Sequence, residues 1–450
     1  MARRSGGLRF QPSGGTRKVA VPTGKKQLLN IERMADDGRG IGFFEGRTWF
    51  VSGALPGEEV QARVLAARGQ IVEARTERVT AASTLRQDEP CPWARRCGGC
   101  TLQHLGAEEQ LLLKQRTLAD QLLRQGQLVP QRWAEPLTGP AFGYRRRARI
   151  AVRWNEALER LEVGFRESSS QAIVGIDDCI VLAPVLRPLL NALSGVLGGL
   201  ERPRAIGHVE LFHGDAVAVL IRHTQPLSPP DLVRLQAFCA AHAAQLWLQG
   251  SGAPVAYEPG ALLTYSLPSW ALTLEYRPGD FIQVNAAVND TMVRQALDWL
   301  GPLGGKRVLD LFSGLGNFSL PMAREAAQVV GVEGAEDMVA RANWNARRNG
   351  IDNAHFFQAD LSKPLVDAPW GQQAYDIIVL DPPREGALEI VRQAASWTAE
   401  RVLYVSCNPA TLARDAAELI AHDYRMVRAG VMDMFPQTAH VEAMALFERR

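Results

Sequence analysis

A glycine-rich turn between an apolar strand and a helix constrains the fold most. Lys306–Phe312 is predicted as the strand, Ser313-Gly-Leu-Gly-Asn317 as the turn and Phe318 as the start of the helix. Glycines there let backbone amides approach a ligand at a helix N-terminus. The next strand, Ala327–Val332, runs into Glu333, an acid about 20 positions past the turn that suits ribose hydroxyls. Together these features predict a doubly wound α/β fold that binds a nucleotide cofactor.

The alternation of strand, turn and helix continues to the C-terminus. A predicted helix, Glu336–Asn349, stops at Gly350. The later predicted strands are Ala354–Gln358 with Asp360 beyond it, Tyr375–Leu380 ending in Asp381-Pro-Pro-Arg384, a fifth that carries Cys407, and two near Met426–Ala429 and Ala443–Phe447. This rhythm indicates a Rossmann-like sheet, and the last two strands resemble the closing hairpin of class I S-adenosylmethionine-dependent methyltransferases. A nicotinamide-dependent dehydrogenase more often shows the tighter Gly-x-Gly-x-x-Gly turn.

Cys407 is a candidate nucleophile. It lies in Tyr404-Val-Ser-Cys-Asn-Pro-Ala-Thr-Leu-Ala-Arg-Asp415, where an apolar strand ends and a helix begins. Open α/β sheets place their reacting groups at the carboxyl ends of strands. A lone cysteine is usually a small buried apolar residue, but the polar flanks here favour chemistry. The helix N-terminus near Pro409 is expected to lower the thiol pKa from its ordinary value of about 8.5.

Four of the six cysteines predict a metal site. Cys91, Cys97 and Cys100 fall within ten residues, and Cys179 is a candidate for the fourth ligand. Four thiolates suit tetrahedral zinc or an iron–sulfur cluster. Zinc sites usually pair two Cys-x-x-Cys hooks, whereas one hook with a distant fourth cysteine favours a cubane cluster. Cys239, in an apolar helical stretch, is predicted to be a core residue.

Basic residues concentrate near the N-terminus although the net charge is only +2. Residues 1–27 hold seven basic side chains and no acidic one, and their composition predicts disorder. Such an arm attracts nucleic acid by counterion release; the alternative is a solvated tail that aids solubility. Four arginines in Tyr144–Arg149 fit phosphate or base contacts, with a solvated edge strand as the alternative.

Short β-like runs separated by turn signals follow the arm. Asp37-Gly38, Glu45-Gly46 and Leu55-Pro-Gly57 lie between them, a pattern typical of a small barrel like the oligonucleotide-binding fold. A chain of 450 residues has room for several domains. The predicted organisation is a basic disordered arm at 1–27, a barrel at 28–82, a β-rich central domain with the metal site at 83–279 and a catalytic domain at 280–450.

The sequence contains no predicted membrane segment. No apolar run approaches the roughly 20 residues needed to cross a bilayer, and no signal-peptide core follows the basic start. The sparse cysteines do not suggest a disulfide scaffold. We expect a soluble, cytoplasmic protein without a membrane partner or an obligate protein partner.

Four motifs together resemble the RNA 5-methyluridine methyltransferase family, most closely its 23S ribosomal RNA branch. The motifs are Phe281-Ile-Gln-Val-Asn285, Asp310-Leu-Phe-Ser-Gly-Leu-Gly-Asn-Phe318, Asp381-Pro-Pro-Arg384 and Ser406-Cys-Asn-Pro-Ala-Thr411. The barrel resembles the TRAM domain of that branch, and the four cysteines match its [4Fe-4S] ligands. The transfer-RNA relatives lack both additions. Ser313 replaces a cysteine common in some relatives.

The resemblance implies methylation of carbon 5 of a specific uridine in 23S ribosomal RNA, with S-adenosylmethionine as methyl donor. Cys407 would add to carbon 6, and Glu442 would remove the carbon 5 proton. The implied cofactor contacts are Gln283, Phe312, Asn317, Glu333, Asp360 and Asp381. Phe312 also suits the sheet core, Gln283 a cap, and Asp381 the target base. The cluster has no evident redox task and is expected to tie Cys91–Cys100 to Cys179.

Two other classes remain open at this point. One is another RNA pyrimidine-C5 methyltransferase that acts on uridine in transfer RNA or on cytosine, although the Cys-Asn-Pro-Ala-Thr motif argues against cytosine. The other is a non-catalytic RNA-binding iron–sulfur protein that retains the fold. Binding of S-adenosylmethionine separates that class from the enzymes. For an enzyme, the target uridine must leave its stack, so base flipping or a single-stranded loop is implied.

Overall fold

The computed structural model describes residues 21–363, 368 and 370–450. The predicted basic arm lies outside the described residues except for 21–27. The described residues form two compact units, 21–35 with 39–84 and 36–38 with 85–450.

The first unit is a closed five-stranded barrel. Its strands are β1 (Lys26–Met34), β2 (Gly40–Phe44), β3 (Arg47–Ser52), β4 (Glu59–Arg68) and β5 (Ile71–Ala81). They close in the order β1-β2-β3-β5-β4. Alternate side chains of β3 and β4 are buried, as a period of two requires, and Trp49 fills the core. The predicted barrel is confirmed, and its first strand begins at Lys26 rather than at residue 28.

The second unit combines eight helices with three sheets in the described part of the chain. The helices are α1 (Ala107–Gly126), α2 (Arg187–Gly198), α3 (Pro229–Ala241), α4 (Ala286–Leu300), α5 (Ser319–Ala323), α6 (Glu336–Arg348), α7 (Leu388–Val391) and α8 (Pro409–Ala421). None of these described helices is long and apolar enough to cross a membrane. Helix α1 is followed by Gln127, which takes the left-handed cap at φ 52°.

The central part of this unit is a seven-stranded sheet. Its order is β13-β12-β11-β10-β7-β8-β9, with a separate hairpin of β14 and β15. The bounds are β7 (Arg147–Asn155), β8 (Arg160–Arg166), β9 (Ile173–Gly175), β10 (Ile206–His213), β11 (Val217–His223), β12 (Ala244–Gln249), β13 (Val255–Ala256), β14 (Leu263–Leu267) and β15 (Leu272–Tyr276), preceded along the chain by β6 (Arg132–Trp133). Helices α2 and α3 supply Leu189, Leu193 and Leu235 to the same hydrophobic core. The β-rich central region predicted from the sequence is confirmed.

The C-terminal part is an eight-stranded sheet ordered β18-β17-β16-β19-β20-β22-β21-β6. Its remaining bounds are β16 (Arg307–Leu311), β17 (Gln328–Glu333), β18 (Ala354–Gln358), β19 (Ile377–Leu380), β20 (Arg401–Ser406), β21 (Tyr424–Met432) and β22 (Glu442–Arg449). Strands β16 to β20 are parallel, and β22 runs antiparallel between β20 and β21. The five predicted strands and the closing hairpin are confirmed.

Two elements that precede residue 280 pack with this C-terminal part, one as a strand of its sheet and the other as a helix in its core. Strand β6 pairs with β21, and Leu118 and Leu122 of α1 share one hydrophobic cluster with Val330 and Leu380. The sequence analysis placed α1 in the central domain. The apolar side chains of α1 instead complete a hydrophobic core of the eight-stranded sheet.

Candidate active site

Cys407 and Glu442 face each other where β20 ends and β22 begins. The last pair of the antiparallel ladder is Ser406 with Ala443, so the next position on each strand places Cys407 opposite Glu442. Directly opposed residues have Cβ atoms about 4.5–5.5 Å apart. Immediately after the thiol, the Asn408 side chain accepts a 3.1 Å hydrogen bond from the amide of Ala410 and caps α8. The sheet register therefore brings the predicted nucleophile and the predicted base together.

Asp381 lies on the same edge of the sheet. It follows β19, whose last residue, Leu380, pairs with Tyr404 of β20 on one side and Leu311 of β16 on the other. Its carboxylate raises the pKa values of both Cys407 and Glu442, which shows that the three groups are close. Two acids and a thiol thus meet at the carboxyl end of the parallel strands, as the fold predicts.

A pocket of about 290 Å³ opens on Cys407. Its walls come from six segments of the second unit. They are Asp36, Asp37, Thr101, Thr117, Gln121, Arg384, Cys407, Asn408, Pro409, Ala410, Ala439, His440 and Val441. The pocket contains both charges and hydrogen-bonding groups beside the thiol, as the recognition of a flipped polar base requires.

Burial dominates the protonation of this site. It raises the pKa of Glu442 to about 8, with a further upward contribution from Asp381 and an opposing one from Lys114. It also raises the pKa of Asp381 to about 7. The pKa of Cys407 rises to about 11 through burial and the two carboxylates, against the opposing effect of Arg384. The lowered thiol pKa predicted from the helix N-terminus is therefore wrong for this structure, because burial and like charge outweigh it.

The glycine turn after β16 has the backbone that a close ligand approach requires. Phe312, Gly314 and Gly316 all have positive φ angles, of 66°, 55° and 95°. A Cβ atom added to Gly316 would lie 2.9 Å from the Leu320 side chain. The turn therefore depends on glycine for both its conformation and its packing.

Glu333 is held beside this turn by backbone amides. Its carboxylate accepts hydrogen bonds from Gly314 N at 3.2 Å, Gly334 N at 2.8 Å and Ala335 N at 3.1 Å. The side chain is half-buried at the end of β17. Glu333 thus lies beside the glycine turn, and its role as ribose acceptor stays a prediction.

The other predicted cofactor residues occupy more varied positions. Asn317 exchanges two hydrogen bonds with Asn289 of α4, at 2.9 and 3.0 Å. Gln283 is half-buried, and its backbone oxygen accepts a 2.6 Å bond from Arg146. Phe312 packs against the sheet core. Asp360 is exposed, and Ser362 lowers its pKa by donating hydrogen bonds to it.

Asp310 is a site residue that the sequence analysis did not single out. It is 1% exposed in the middle of the apolar strand β16, and burial raises its pKa to about 7. Its Oδ2 accepts a hydrogen bond from Ser319, whereas Oδ1 and the nearby Ser313 hydroxyl have no partner among the described residues. A charged residue within an apolar strand was the available signal. Unpaired buried polar atoms beside the turn suit the polar end of a bound cofactor.

Cys97 and Cys179, two of the four candidate metal ligands, pack against the same hydrophobic core of the central sheet. Within the described ranges, no three Cys, His, Asp or Glu side chains are grouped to hold a metal ion. Burial nevertheless raises the pKa of Cys100 to about 12 and of Cys179 to about 11, and the neighbouring thiols, Cys91 and Cys97 included, add to both shifts. Cys97 shows the same direction of pKa shift. The backbone of Cys97 also forms an isolated β-bridge with Glu167.

The arginine run at Tyr144–Arg149 has a structural role that the sequence analysis did not predict. Arg146 is 5% exposed and lies over the Tyr265 ring. Arg147 forms a 2.8 Å ion pair with Glu210 and a bond to the Asp280 backbone. Two of the four arginines therefore contact groups of this chain, and RNA contact by the run stays a prediction.

The fold and this site define an S-adenosylmethionine-dependent methyltransferase of class I. The family model for tRNA (Uracil-5-)-methyltransferase matches residues 266–450, and the TRAM domain model matches residues 21–76. The crystal structure of the Pyrococcus abyssi tRNA (uracil-54, C5)-methyltransferase with S-adenosyl-L-homocysteine is 24% identical, covers 94% of this chain and 100% of its own, and superposes with a TM-score of 0.71. At that identity the likeness shows the fold.

Two relatives of greater similarity span the whole chain. The 23S rRNA (uracil(1939)-C(5))-methyltransferase RlmD of Pseudomonas aeruginosa is 63% identical over 448 residues, covering 100% of both chains. The enzyme of the same name from Pseudomonas fluorescens is 60% identical over the same length, with equal coverage. The chain belongs to the RlmD family of 23S rRNA uracil-C5 methyltransferases.

Proposed function

We propose that this protein methylates carbon 5 of uridine 1939 in 23S ribosomal RNA, the position printed in the names of its relatives. The observation that carries the proposal is the placement of Cys407 opposite Glu442, with Asp381 beside them, above a pocket. A thiol and two acids of raised pKa are the groups that addition to a pyrimidine and later removal of a proton require. The proposed ribosomal RNA substrate supports a cytoplasmic location.

The cofactor pocket is proposed to lie along the ends of β16, β17 and β18. Glu333 would hold the ribose of S-adenosylmethionine, and the glycine turn would admit its methionine part near Asp310 and Ser313. Asp360 is proposed for the adenine edge, and Phe312, Gln283, Asn317 and Asp381 for the remaining contacts. The unpaired Asp310 and Ser313 oxygens support this fit. When bound, the cofactor supplies the methyl group as an electrophile.

Cys407 is proposed to activate the base by covalent addition. Carbon 5 of uracil is too weakly nucleophilic to take a methyl group by itself. Attack of the thiolate on carbon 6 moves the electron pair of the 5,6 double bond onto carbon 5 and the carbonyl at carbon 4. Because burial raises the pKa of the thiol, its proton must first pass to a neighbouring carboxylate. Asp381 is proposed to accept it, which leaves the Glu442 carboxylate free for the later step and lets Asp381 return the proton when the thiolate is released. Carbon 5 then forms the new bond to the methyl group.

Glu442 is proposed as the base that ends the reaction. After methylation, carbon 5 carries one proton, whose removal restores the double bond and releases the Cys407 thiolate. An acid with a pKa near the working pH takes and gives a proton most effectively, and burial raises the pKa of Glu442 to about 8. The matched positions of the two residues let one approach carbon 6 while the other approaches carbon 5.

The four cysteines are proposed to hold a [4Fe-4S] cluster. Cys97 and Cys179 pack against the same hydrophobic core. Burial raises the pKa of Cys97, Cys100 and Cys179, and a metal would displace the protons of these thiols, since a thiolate is the ligand form. The cluster is proposed to join the segment 91–100 to Cys179 and so to shape an RNA-binding surface. No redox step is needed for the methylation, so its role is structural.

The test uses covalent trapping. Ribosomal RNA transcribed with 5-fluorouridine, incubated with protein and S-adenosylmethionine, should form an adduct stable on a denaturing gel, because fluorine at carbon 5 cannot be removed as a proton. Peptide mass spectrometry should place it on Cys407, and sequencing of the trapped RNA should identify the uridine. If RNA and cofactor bind yet no adduct forms, Cys407 is not the nucleophile. RNA with 5-fluorocytidine and a transfer-RNA transcript test the other pyrimidine-C5 methyltransferases, and failure to bind the cofactor would indicate a non-catalytic protein.

A further inference from the structure

We propose that Lys114 and Gln110, one turn apart on α1, are positioning residues for the base Glu442. They hold the connection 433–441 between β21 and β22, here called the base loop, and Lys114 presents a buried positive charge toward Glu442. This inference rests on the proposed role of Glu442. Lys114 and Gln110 lie more than 160 positions before the first C-terminal motif, so no C-terminal motif contains them.

Lys114 is fixed at the start of the base loop. The residue is 1% exposed, and its Nζ donates to Asp433 Oδ1 at 2.6 Å and to the backbone oxygen of Phe435 at 3.0 Å. A buried ammonium group is costly, and a buried ion pair is weak evidence for stability alone. Its retention in the core is better explained by what it does to the neighbouring groups.

Gln110 fixes the middle of the same loop. Its Nε2 donates to Gln437 Oε1 at 3.0 Å, and its Oε1 accepts from Gln437 N at 2.9 Å. Gln437 is 2% exposed and has a φ of 69°, a conformation that a residue other than glycine adopts only when its surroundings hold it. This two-point contact is the kind of restraint that holds it.

Two groups from other elements complete the clamp. The Tyr144 hydroxyl donates to the backbone oxygen of Pro436 at 3.0 Å. The backbone amides of Thr101 and Leu102 both donate to the backbone oxygen of Gln437, at 3.0 and 3.1 Å. Four consecutive loop positions, 435 to 438, are therefore bonded from outside or within, and the loop delivers Glu442 to one place.

The end of the base loop is part of the active site. Ala439, His440 and Val441 line the pocket that contains Cys407, and Glu442 follows directly. Thr117 and Gln121 of α1 line the same pocket. The polar residues Gln110, Lys114, Thr117 and Gln121 recur at helical spacing. One polar stripe of α1 thus contacts both the loop and the pocket.

Lys114 also acts on the charge of Glu442. The groups that face the Glu442 carboxylate are Asp381, Cys407 and Lys114. Lys114 itself faces Asp433, Glu442 and His440. Asp381 favours the protonated form of Glu442, whereas Lys114 favours the carboxylate. Removing the ammonium charge leaves the first effect unopposed, so Glu442 would lose its proton only at higher pH.

The test follows the release of methylated RNA from the covalent adduct in single turnovers, as a function of pH, in the full-length protein. Lys114→Met should move the pH of half-maximal release upward by about one unit, with cofactor and RNA affinities changed less than twofold. Lys114→Arg keeps the charge and should restore most of the wild-type profile. Arg116→Met removes an exposed cation from the same helix and serves as the matched control, with an unchanged profile.

Asp433→Asn supplies a second variant with the opposite sign. It leaves the Lys114 charge less compensated, so the release profile should move to lower pH. Should Lys114→Met fail to fold, Asp433→Asn decides the matter. Profiles that do not move in a folded, cofactor-binding variant overturn the inference. If the wild-type protein forms no adduct with 5-fluorouridine RNA, the proposed function fails instead, so the two failures are distinct.

Discussion

Cys407 and Glu442 occupy opposed positions one step beyond the last paired residues of β20 and β22. The two residues can oppose each other because β22 is antiparallel to β20, so that β22 begins where β20 ends. The relationship depends on register, so a shift of one residue would turn Glu442 to the other face of the sheet.

Replacement of Glu442, the proposed catalytic base, should allow methyl transfer but slow the release of RNA from Cys407. In Glu442→Gln, addition and methyl transfer remain possible, but the carbon 5 proton stays, so protein and ordinary uridine RNA should remain covalently joined. We expect release to slow by about 10²–10⁴-fold. The measurement is a denaturing gel of protein with labelled RNA and S-adenosylmethionine. Glu448→Gln, at the other end of β22, is the control; release at the wild-type rate from Glu442→Gln would exclude this residue as the base.

Stability should depend on pH through the same carboxyl group. The folded pKa of Glu442, about 8, exceeds its ordinary value of 4.5, so the folded state binds the proton more tightly. The protein therefore loses stability as the pH rises from about 4.5 through 8. Glu442→Gln should be more stable than the wild type by about 1–3 kcal/mol at pH 8.5, and the gain should shrink toward zero at pH 5. Urea unfolding at the two pH values checks this; an equal difference at both would contradict it.

Removal of Glu333, the proposed ribose acceptor, should weaken the binding of S-adenosylmethionine. Glu333 holds three backbone amides at the turn, and its loss removes those bonds together with the proposed ribose bonds. Glu333→Ala should raise the dissociation constant of S-adenosylmethionine about 10–100-fold, since hydrogen bonds to a charged group contribute about 1.5–3 kcal/mol. Calorimetry measures it. Glu336→Ala changes an exposed acid in the first turn of α6 and should leave the affinity unchanged.

Loss of one thiol should prevent cluster assembly. Cys100→Ser, in protein purified without oxygen, should reduce bound iron and sulfide to near zero and lower folding yield or RNA affinity. Cys239→Ala removes a buried cysteine that packs with the central core and should keep full iron content. Chemical analysis of iron and sulfide in the two variants measures this difference. Zinc found in place of iron would change the assignment of the metal to zinc. A metal-free variant that keeps its stability and RNA binding would exclude the structural role of the cluster.

The sequence predicted the parallel sheet well because its signals are local. Apolar strands, the glycine turn and the polar residues at strand ends each lie within a few positions, and Cys407 and Glu333 follow from them. The pairing of Cys407 with Glu442 came only through a family resemblance, since it depends on the register of two strands. Lys114 lay beyond reach because its partners are more than 300 positions away. The thiol pKa was misjudged because helix position can be read from sequence, whereas burial cannot.

Strand β6 and helix α1 complete a sheet whose other strands begin at residue 307. A fragment starting at residue 280 would leave Leu412, Ala413 and Ala416 of α8 without the cover of Leu118 and Leu122. It would also release the base loop from its clamp. The shortest segment that could carry this activity is therefore longer than the segment that contains the catalytic motifs. An exchange of C-terminal halves between relatives would have to include the matching α1.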